Sequence, residues 1–158
     1  MIYKGNLEKN CENFSGIRMR TFVCNILKGD PCEVIKEEAD FCTMIFFLSS
    51  FVRKDIEEIL KKINKIIKKG GLILIRDYGL YDLAMIRNEK KGNMIEENCF
   101  RKGDGIVVQY FSKEGLRELF VGMNYEEVQN DYCTVERENK KTGVNLSRVF
   151  INAKFRKK

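Results

Sequence analysis

The chain has 158 residues, of which 44% are hydrophobic and 33% are charged, and its formal net charge is +6. This composition excludes a disordered chain, and no apolar run reaches the roughly 18 residues of a membrane-spanning helix. Histidine is absent and the six cysteines form no Cys-x-x-Cys pair. The usual zinc spacings and Ser-His-Asp or Cys-His chemistry are therefore excluded, and the positive charge favours an anionic partner such as nucleic acid.

The length suits one domain, and we treat residues 1–158 as a single domain that begins with an irregular polar segment over residues 1–20. The apolar run at residues 21–27 predicts a first strand, which ends at a Lys-Gly-Asp-Pro turn. Residues 33–38 have the length of one helical turn. Residues 40–48 are apolar nearly throughout, which is typical of a strand covered on both faces of a parallel sheet.

An amphipathic helix is predicted over residues 54–69, because the isoleucines and Leu60 fall on one stripe and the charges fall on the other side. Gly70 and Gly71 predict its end, and residues 72–75 return as a buried strand. Strand, helix and strand joined by short links indicate a βαβ unit. We interpret the lysine-rich side of the helix as a solvated surface, with an RNA contact as the alternative.

Behind this strand, residues 82–88 predict a short helix, and residues 93–111 predict an inserted hairpin around a Lys-Gly-Asp-Gly turn. Ser112 predicts the cap of a helix over residues 113–121. Two strands, at residues 127–137 and 144–155, are close enough in sequence to pair antiparallel. The whole order indicates an α/β fold with a Rossmann-like sheet, mostly parallel and closed by a C-terminal antiparallel hairpin.

Three segments are similar to one known family. They are residues 40–50 (DFCTMIFFLSS), residues 70–87 (GGLILIRDYGLYDLAMIR) and residues 97–105 (ENCFRKGDG), with shorter matches at residues 110–112, 125–130 and 148–150. On these residues the chain resembles the eukaryotic methyltransferase-like enzymes that methylate N3 of cytidine in tRNA anticodon loops. The resemblance implies a class I methyltransferase fold, S-adenosylmethionine as cofactor and tRNA as partner.

The same resemblance implies a cofactor site across the carboxyl ends of the central strands, where open α/β sheets bind ligands. Asn25 and Ile26 are expected beside the adenine. Ile45, together with the corner formed by Leu48 and Ser49, is expected to line the methionine side.

Arg76, Asp77 and Tyr78 follow a core strand without a spacer, and the resemblance places them opposite the transferred methyl group and the incoming base. Asp77 is the candidate carboxylate beside the exocyclic amine of the base, since methylation leaves positive charge there. Tyr78 is expected to pack against the base or the cofactor, and Arg76 to hold a phosphate or a structural carboxylate. The alternative for this trio is an ion pair at a strand end.

Three more residues are candidates for RNA contact. They are Arg87, in the segment of closest likeness, and Arg101 and Asp104 in the inserted hairpin. For Arg101 and Asp104 the alternative is a surface hairpin with ordinary turn residues.

The family carries a strand, a glycine-rich loop, a helix and a second strand before the point that matches Phe22, and residues 1–21 are too short for that unit. We therefore expect a truncated domain with an open sheet edge: a fragment, a homodimer paired through that edge, or a degenerate relative. The activity of such a chain is expected to be impaired. The alternative functions are a non-catalytic RNA-binding or partner-binding module and a small-molecule methyltransferase. We also expect an accessory protein as a partner and a cytoplasmic location, with a nuclear location as the alternative.

Overall fold

The computed structural model describes residues 22–139 and 144–158, with side chains described outside residues 137–146. A four-stranded sheet carries helices on one face, and a small three-stranded sheet is inserted after its second strand. The elements in chain order are β1 (Ala39–Ile45), α1 (Arg53–Ile66), β2 (Ile67–Tyr78), α2 (Leu83–Lys90), β3 (Met94–Glu96), β4 (Cys99–Arg101), β5 (Val107–Gln109), α3 (Lys113–Val121), β6 (Tyr125–Asn139) and β7 (Val144–Lys157).

The larger sheet has the strand order β1-β2-β7-β6. β1 and β2 are parallel and are joined through α1, so the predicted βαβ unit is confirmed. β7 is antiparallel to both of its neighbours, as the predicted C-terminal hairpin requires. The α/β class is thus confirmed, and the described strands form a mixed sheet with one parallel and two antiparallel pairs.

The strand predicted over residues 21–27 is wrong for the residues described, because residues 22–25 have no regular structure and residues 26–28 form a turn. The carbonyl oxygen of Asn25 accepts from the N–H groups of Lys28 and Gly29. Lys62 on α1 donates its Nζ hydrogens to three carbonyl oxygens of this turn, those of Ile26, Leu27 and Gly29. Backbone groups that a strand would offer to a neighbouring strand are therefore bound to a helix.

The glycine pair does not end α1. The helix ends at Ile66, and β2 begins at the next residue. Gly70 and Gly71 lie inside β2, where the register with β1 shifts between the pairs Ala39–Ile67 and Phe41–Leu72. Gly70 has a φ of +81°, a conformation that other residues rarely adopt. The two glycines therefore allow a bulge in the parallel pair, which is the reason for their presence.

Lys157, near the end of β7, binds the C-terminal end of α1, which the glycines were predicted to cap. Its Nζ donates to the carbonyl oxygens of Asn64 and Ile67, both at 2.7 Å. Carbonyl groups in the last turn of a helix lack intrahelical partners and carry partial negative charge, so a lysine there is favourable.

The hydrophobic core lies between the sheet and the helices α1 and α3. Along β2 the side chains alternate, with Ile73, Ile75 and Asp77 buried toward the helices. On β7, Phe155 stacks on Phe120 of α3 with ring centroids 4.2 Å apart. Leu116, Leu119 and Phe120 are buried and Ser112 Oγ accepts from the Gly115 N–H at 2.9 Å, so the prediction of the capped helix is confirmed.

The opposite face of the sheet is half exposed, and β1 departs from its prediction. Phe41 and Ile45 on β1 are 63% and 55% exposed, because β1 is the edge strand among those described rather than a strand covered on both faces. None of the described helices is long and apolar enough to cross a membrane.

The insertion contains three strands rather than the predicted hairpin of two. The segment before the predicted turn forms two strands, β3 and β4, because the chain turns back at Glu97 and Asn98, where Asn98 has a φ of +57°. β4 then pairs with β5 as expected. Phe100, Val108 and Tyr110 form a second small core that packs against Tyr78 and Leu80.

Candidate functional site

The carboxyl ends of β1 and β2 lie side by side, with Ile45 opposite Arg76 in the register. The N–H of Phe46, just beyond β1, donates to the carbonyl oxygen of Arg76 at 2.8 Å and keeps the two strand ends together. Because side chains alternate along a strand, Arg76 and Tyr78 point to the half-exposed face and Asp77 points to the core. The three predicted catalytic residues are therefore divided between two faces of the sheet.

Four aromatic rings meet at this end of the half-exposed face, and we call them the aromatic cluster: Phe46, Tyr78, Tyr110 and Phe150. Their ring centroids are 5.2 to 6.2 Å apart for the contacting pairs, the usual range for aromatic contacts. Phe46 is 40% exposed, while Tyr110 is buried below the others. Burial raises the pKa of Tyr110 to about 12, and its ring contacts that of Tyr78 with the centroids 5.9 Å apart.

Two guanidinium groups flank the cluster. Arg76 lies with its Cζ atom 4.9 Å from the centroid of the Phe150 ring, and its Nη1 donates to Asn152 Oδ1 at 2.8 Å. Arg148 lies 5.6 Å from the ring centroids of both Tyr78 and Phe150. Cations alternate with aromatic rings here, an arrangement common on surfaces that bind single-stranded nucleic acid.

Asp82 is a residue of this site that the sequence analysis did not single out. It is fully buried, and its Oδ1 accepts from the Ala84 N–H at the start of α2. Its Oδ2 accepts from Arg148 Nε at 2.7 Å and from the Val149 N–H at 3.0 Å. An aspartate at the first position of the predicted helix was the available signal for the cap, but its arginine partner is 66 residues away in the sequence.

Asp77 is fully buried behind the aromatic cluster. Its Oδ2 accepts from the Ser49 N–H at 3.0 Å and its Oδ1 accepts from the N–H of Tyr78 at 2.9 Å. Oδ2 thus holds the Leu48–Ser50 turn against the end of β2, and Oδ1 is occupied by the backbone of β2 itself. Since the carboxylate has no exposed surface, this geometry favours a structural role for Asp77 over the predicted contact with the exocyclic amine.

The buried carboxyl group of Asp77 leads to a pH prediction. Burial raises its pKa above the usual value of 3.8, while the hydrogen bonds from Ser49 and Tyr78 oppose this shift. As the pH rises from that value through the pKa of the folded state, the unfolded chain loses its proton first, so the free energy of unfolding falls and then levels off. We therefore expect the free energy of unfolding of the unchanged chain, minus that of Asp77→Asn, to fall as the pH rises through this window. Urea unfolding at several pH values measures the difference, and a difference that rises with pH would contradict the prediction.

The structure does not bring the five predicted cofactor residues together. Ile45, Leu48 and Ser49 lie where β1 ends and before α1 begins. Asn25 and Ile26 lie in the turn that Lys62 binds in the second half of α1, and this helix ends beside the start of β1. Asn25 and Ile45 have exposed side chains, although Asn25 Oδ1 already accepts from the Leu27 N–H. Ile26 is half-buried, and its carbonyl oxygen is bound by Lys62. Leu48 and Ser49 are buried in the turn that Asp77 holds. These five residues include apolar surface for a ring or a methionine chain, but no acid for ribose hydroxyl groups.

The predicted RNA contacts lie outside the aromatic cluster. Arg87 is exposed on α2, and Arg101 is exposed at the end of β4. Asp104 Oδ1 accepts from the Ile106 N–H at 3.1 Å, which is the pattern of a turn residue. The structure does not bring these three side chains to the strand ends.

A groove of about 440 Å³ lies between the insertion and α3. Four glutamates line it, namely Glu96, Glu97, Glu114 and Glu118. Clustered carboxylates repel a phosphate backbone, so this groove is a poor site for nucleic acid. Within the described residues no group of three or more His, Cys, Asp or Glu side chains could hold a metal ion. We therefore take the aromatic cluster as the candidate functional site.

No family model matches the chain, but known proteins are similar to it. The tRNA N(3)-cytidine methyltransferase METTL6 of Mus musculus is 39% identical over 145 residues, which are 91% of this chain and 51% of that protein. METTL2 of Gallus gallus, a second tRNA N(3)-cytidine methyltransferase, is 33% identical over 85% of this chain and 36% of its own length. The chain is a homologue of the tRNA N3-cytidine methyltransferases. It spans about half the length of the METTL6 proteins it matches, and less of METTL2.

Two further comparisons complete this result. O-methyltransferase 3 of Dictyostelium discoideum is 33% identical over 96% of this chain and 36% of that protein, so the proteins similar to this chain include one named for another acceptor atom. Among solved structures, S-adenosylmethionine-dependent methyltransferases from Methanosarcina mazei and Anabaena variabilis superimpose with TM-scores of 0.63 and 0.67. The superpositions cover 96% and 98% of this chain and 76% and 65% of the length of the two solved chains. The sequence identities are 20% and 14%. The methyltransferase fold is therefore confirmed.

Proposed function

We propose that the chain contributes the base-binding side of an S-adenosylmethionine-dependent tRNA methyltransferase that acts on N3 of cytidine in the anticodon loop. The observation that carries this proposal is the aromatic cluster between Arg76 and Arg148 at the carboxyl ends of β1 and β2. The 39% identity to METTL6 supports the same reaction and the same substrate class.

The chemistry requires little proton transfer before attack, because neutral cytosine carries a lone pair on N3. S-adenosylmethionine supplies an activated methyl group when it is bound. The chain's own contribution is orientation: the rings of Phe46, Tyr78 and Phe150 offer surfaces on which a base removed from its stack can lie. Holding the base in one plane contributes to rate because it removes the entropy of alignment from the reaction step.

Buried Asp77 acts indirectly in this proposal. By accepting the Ser49 N–H it keeps the Leu48–Ser50 turn beside the end of β2, where the cofactor is expected. Because the structure divides the five predicted cofactor residues between the two ends of α1, we propose that the chain by itself is inactive or weakly active. An accessory protein and a cytoplasmic location are further parts of this proposal.

The deciding experiment combines RNA binding with methyl transfer. A fluorescently labelled tRNA anticodon stem-loop is expected to bind the chain, and a stem-loop whose cytidine is replaced by uridine is expected to bind more weakly. Transfer of tritiated methyl from S-adenosylmethionine is measured in the same samples. Weak or absent transfer is expected of the chain by itself. Loss of all RNA binding would overturn the proposal, whereas RNA binding with no calorimetric heat from the cofactor would favour the non-catalytic module.

A small-molecule or O-methyl acceptor is the second candidate, and the relationship to O-methyltransferase 3 favours it. A hydroxyl acceptor must lose its proton, so that reaction needs a base near the methyl group, unlike attack by cytosine N3. Methyl transfer to small phenols and alcohols, with no transfer to RNA, would support this candidate against the first.

The open edge of β1 carries a proposal about assembly. In the described part of the chain β1 pairs on one side only, with β2, and its Phe41 and Ile45 are largely exposed. An exposed apolar edge strand promotes pairing with another chain, so we expect a homodimer formed through β1. Size-exclusion chromatography with light scattering is expected to give twice the mass of one chain for the unchanged protein. Phe41→Lys is expected to lower the measured mass to that of one chain. A monomeric unchanged protein would contradict the dimer.

A further inference from the structure

Arg148 is held at the aromatic cluster by a carboxylate that solvent cannot reach. Asp82 is fully buried, and the contact between its Oδ2 and Arg148 Nε is 2.7 Å long. The same carboxylate accepts backbone N–H groups from Ala84 and Val149, so it is fixed by α2 and by β7 at once. The guanidinium group of Arg148 therefore has one preferred position relative to the rings.

The contact with Asp82 uses the Nε side of the guanidinium. Among the described residues no hydrogen bond from the Nη groups of Arg148 is found, and its side chain is 34% exposed. An arginine has five N–H donors in a planar fork, and the Nη edge suits the oxygen atoms of a phosphate. Arginine–carboxylate pairs are frequently bidentate, whereas the contact between Arg148 and Asp82 uses the Nε donor alone.

The position of this edge relates it to the proposed base site. Arg148 is 5.6 Å from the ring centroids of Tyr78 and Phe150, and Arg76 lies on Phe150 at 4.9 Å. A nucleotide whose base stacks on these rings carries its phosphates to the border of the cluster, where the two arginines lie. Resting on the proposed function, we propose that Arg148 is a phosphate-binding residue for the RNA and that Asp82 is its positioning residue.

The test measures affinity for the labelled anticodon stem-loop as a function of salt concentration, using the full chain. Arg148→Gln is expected to weaken binding about tenfold and to lower the slope of log Kd against log salt by about 0.7 to 1, since one phosphate contact is lost. Arg148→Lys keeps the charge and is expected to keep the slope. Asp82→Asn leaves the arginine charged but less well held, so we expect an unchanged slope and about threefold weaker binding.

Arg156→Gln is the matched control, because Arg156 lies on the same strand and face at the far end of β7, 3.9 Å from Glu126. It is expected to leave the slope unchanged. Thermal melting of each variant checks folding. If Arg148→Gln does not fold, Arg148→Lys is compared with the unchanged chain: it keeps the charge but loses the planar fork, so weaker RNA binding with an unchanged slope is expected. Unchanged affinity in Arg148→Lys would then overturn the phosphate contact of the Nη edge.

The outcomes separate the two proposals. Absence of RNA binding by the unchanged chain overturns the proposed function and the phosphate site with it. RNA binding whose slope Arg148→Gln does not change overturns the phosphate site alone and leaves Arg148 as a support for the rings. A lower slope in Arg148→Gln with full affinity in Asp82→Asn keeps the phosphate site and overturns the positioning role of Asp82.

Discussion

Replacing Phe155 by alanine is expected to lower the free energy of unfolding by about 3–5 kcal/mol. The ring is fully buried on the helix side of β7 and stacks on Phe120 at 4.2 Å with the planes nearly parallel. The substitution removes this contact and leaves a cavity that the sheet and α3 cannot close without moving. Urea unfolding followed by circular dichroism measures the difference.

Phe150→Ala is the matched control for this prediction, because Phe150 is on the same strand but points to the half-exposed face. It is expected to lower stability by only about 1 kcal/mol, since less apolar area is removed from water there. The effect on RNA affinity is expected to have the reverse order: when both variants are folded, Phe150→Ala is expected to bind RNA more weakly than Phe155→Ala. Equal stability losses for the two substitutions would contradict the assignment of the two faces.

Tyr78→Ala is expected to weaken binding of the anticodon stem-loop by about 5- to 150-fold. This range corresponds to the roughly 1–3 kcal/mol by which a stacked base is stabilised on an aromatic side chain. Tyr78 is central to the aromatic cluster, since its ring contacts Phe46, Tyr110 and Phe150. Fluorescence anisotropy with the labelled stem-loop provides the measurement.

Tyr78→Phe tests which part of the side chain matters. It keeps the ring and removes the hydroxyl group, so its affinity is expected to stay within about twofold of the unchanged chain, consistent with stacking. If Tyr78→Phe loses as much affinity as Tyr78→Ala, the hydroxyl group rather than the ring carries the contact. Wild-type affinity in Tyr78→Ala would remove Tyr78 from the base site altogether.

Local sequence signals were sufficient where neighbours in the chain decide the structure. The cap at Ser112, the buried stripe of α1 and the antiparallel pairing of β6 with β7 depend on residues a few positions apart, and each is confirmed. The family resemblance was likewise readable, since residues 70–87 carry an unusual order of residue types.

Other expectations failed or changed because the deciding partner is far away in the chain. Residues 22–25 are not a strand, since Lys62 binds the carbonyl groups of the turn behind them. The glycine pair lies within a strand because β1 imposes a shifted register on β2. Local propensity cannot report either of these contacts, because both become possible only when the elements pack.

The sequence by itself determined the α/β class, most of the helices and strands, and the relationship to enzymes that methylate cytidine N3. Only the tertiary structure decided that Asp77 is directed into the core while Arg76 and Tyr78 face outward, and that Asp82 binds Arg148. The physical reason is that strand alternation fixes opposite directions for neighbours, whereas which face is buried, and which distant side chain lies there, depends on how the helices pack on the sheet.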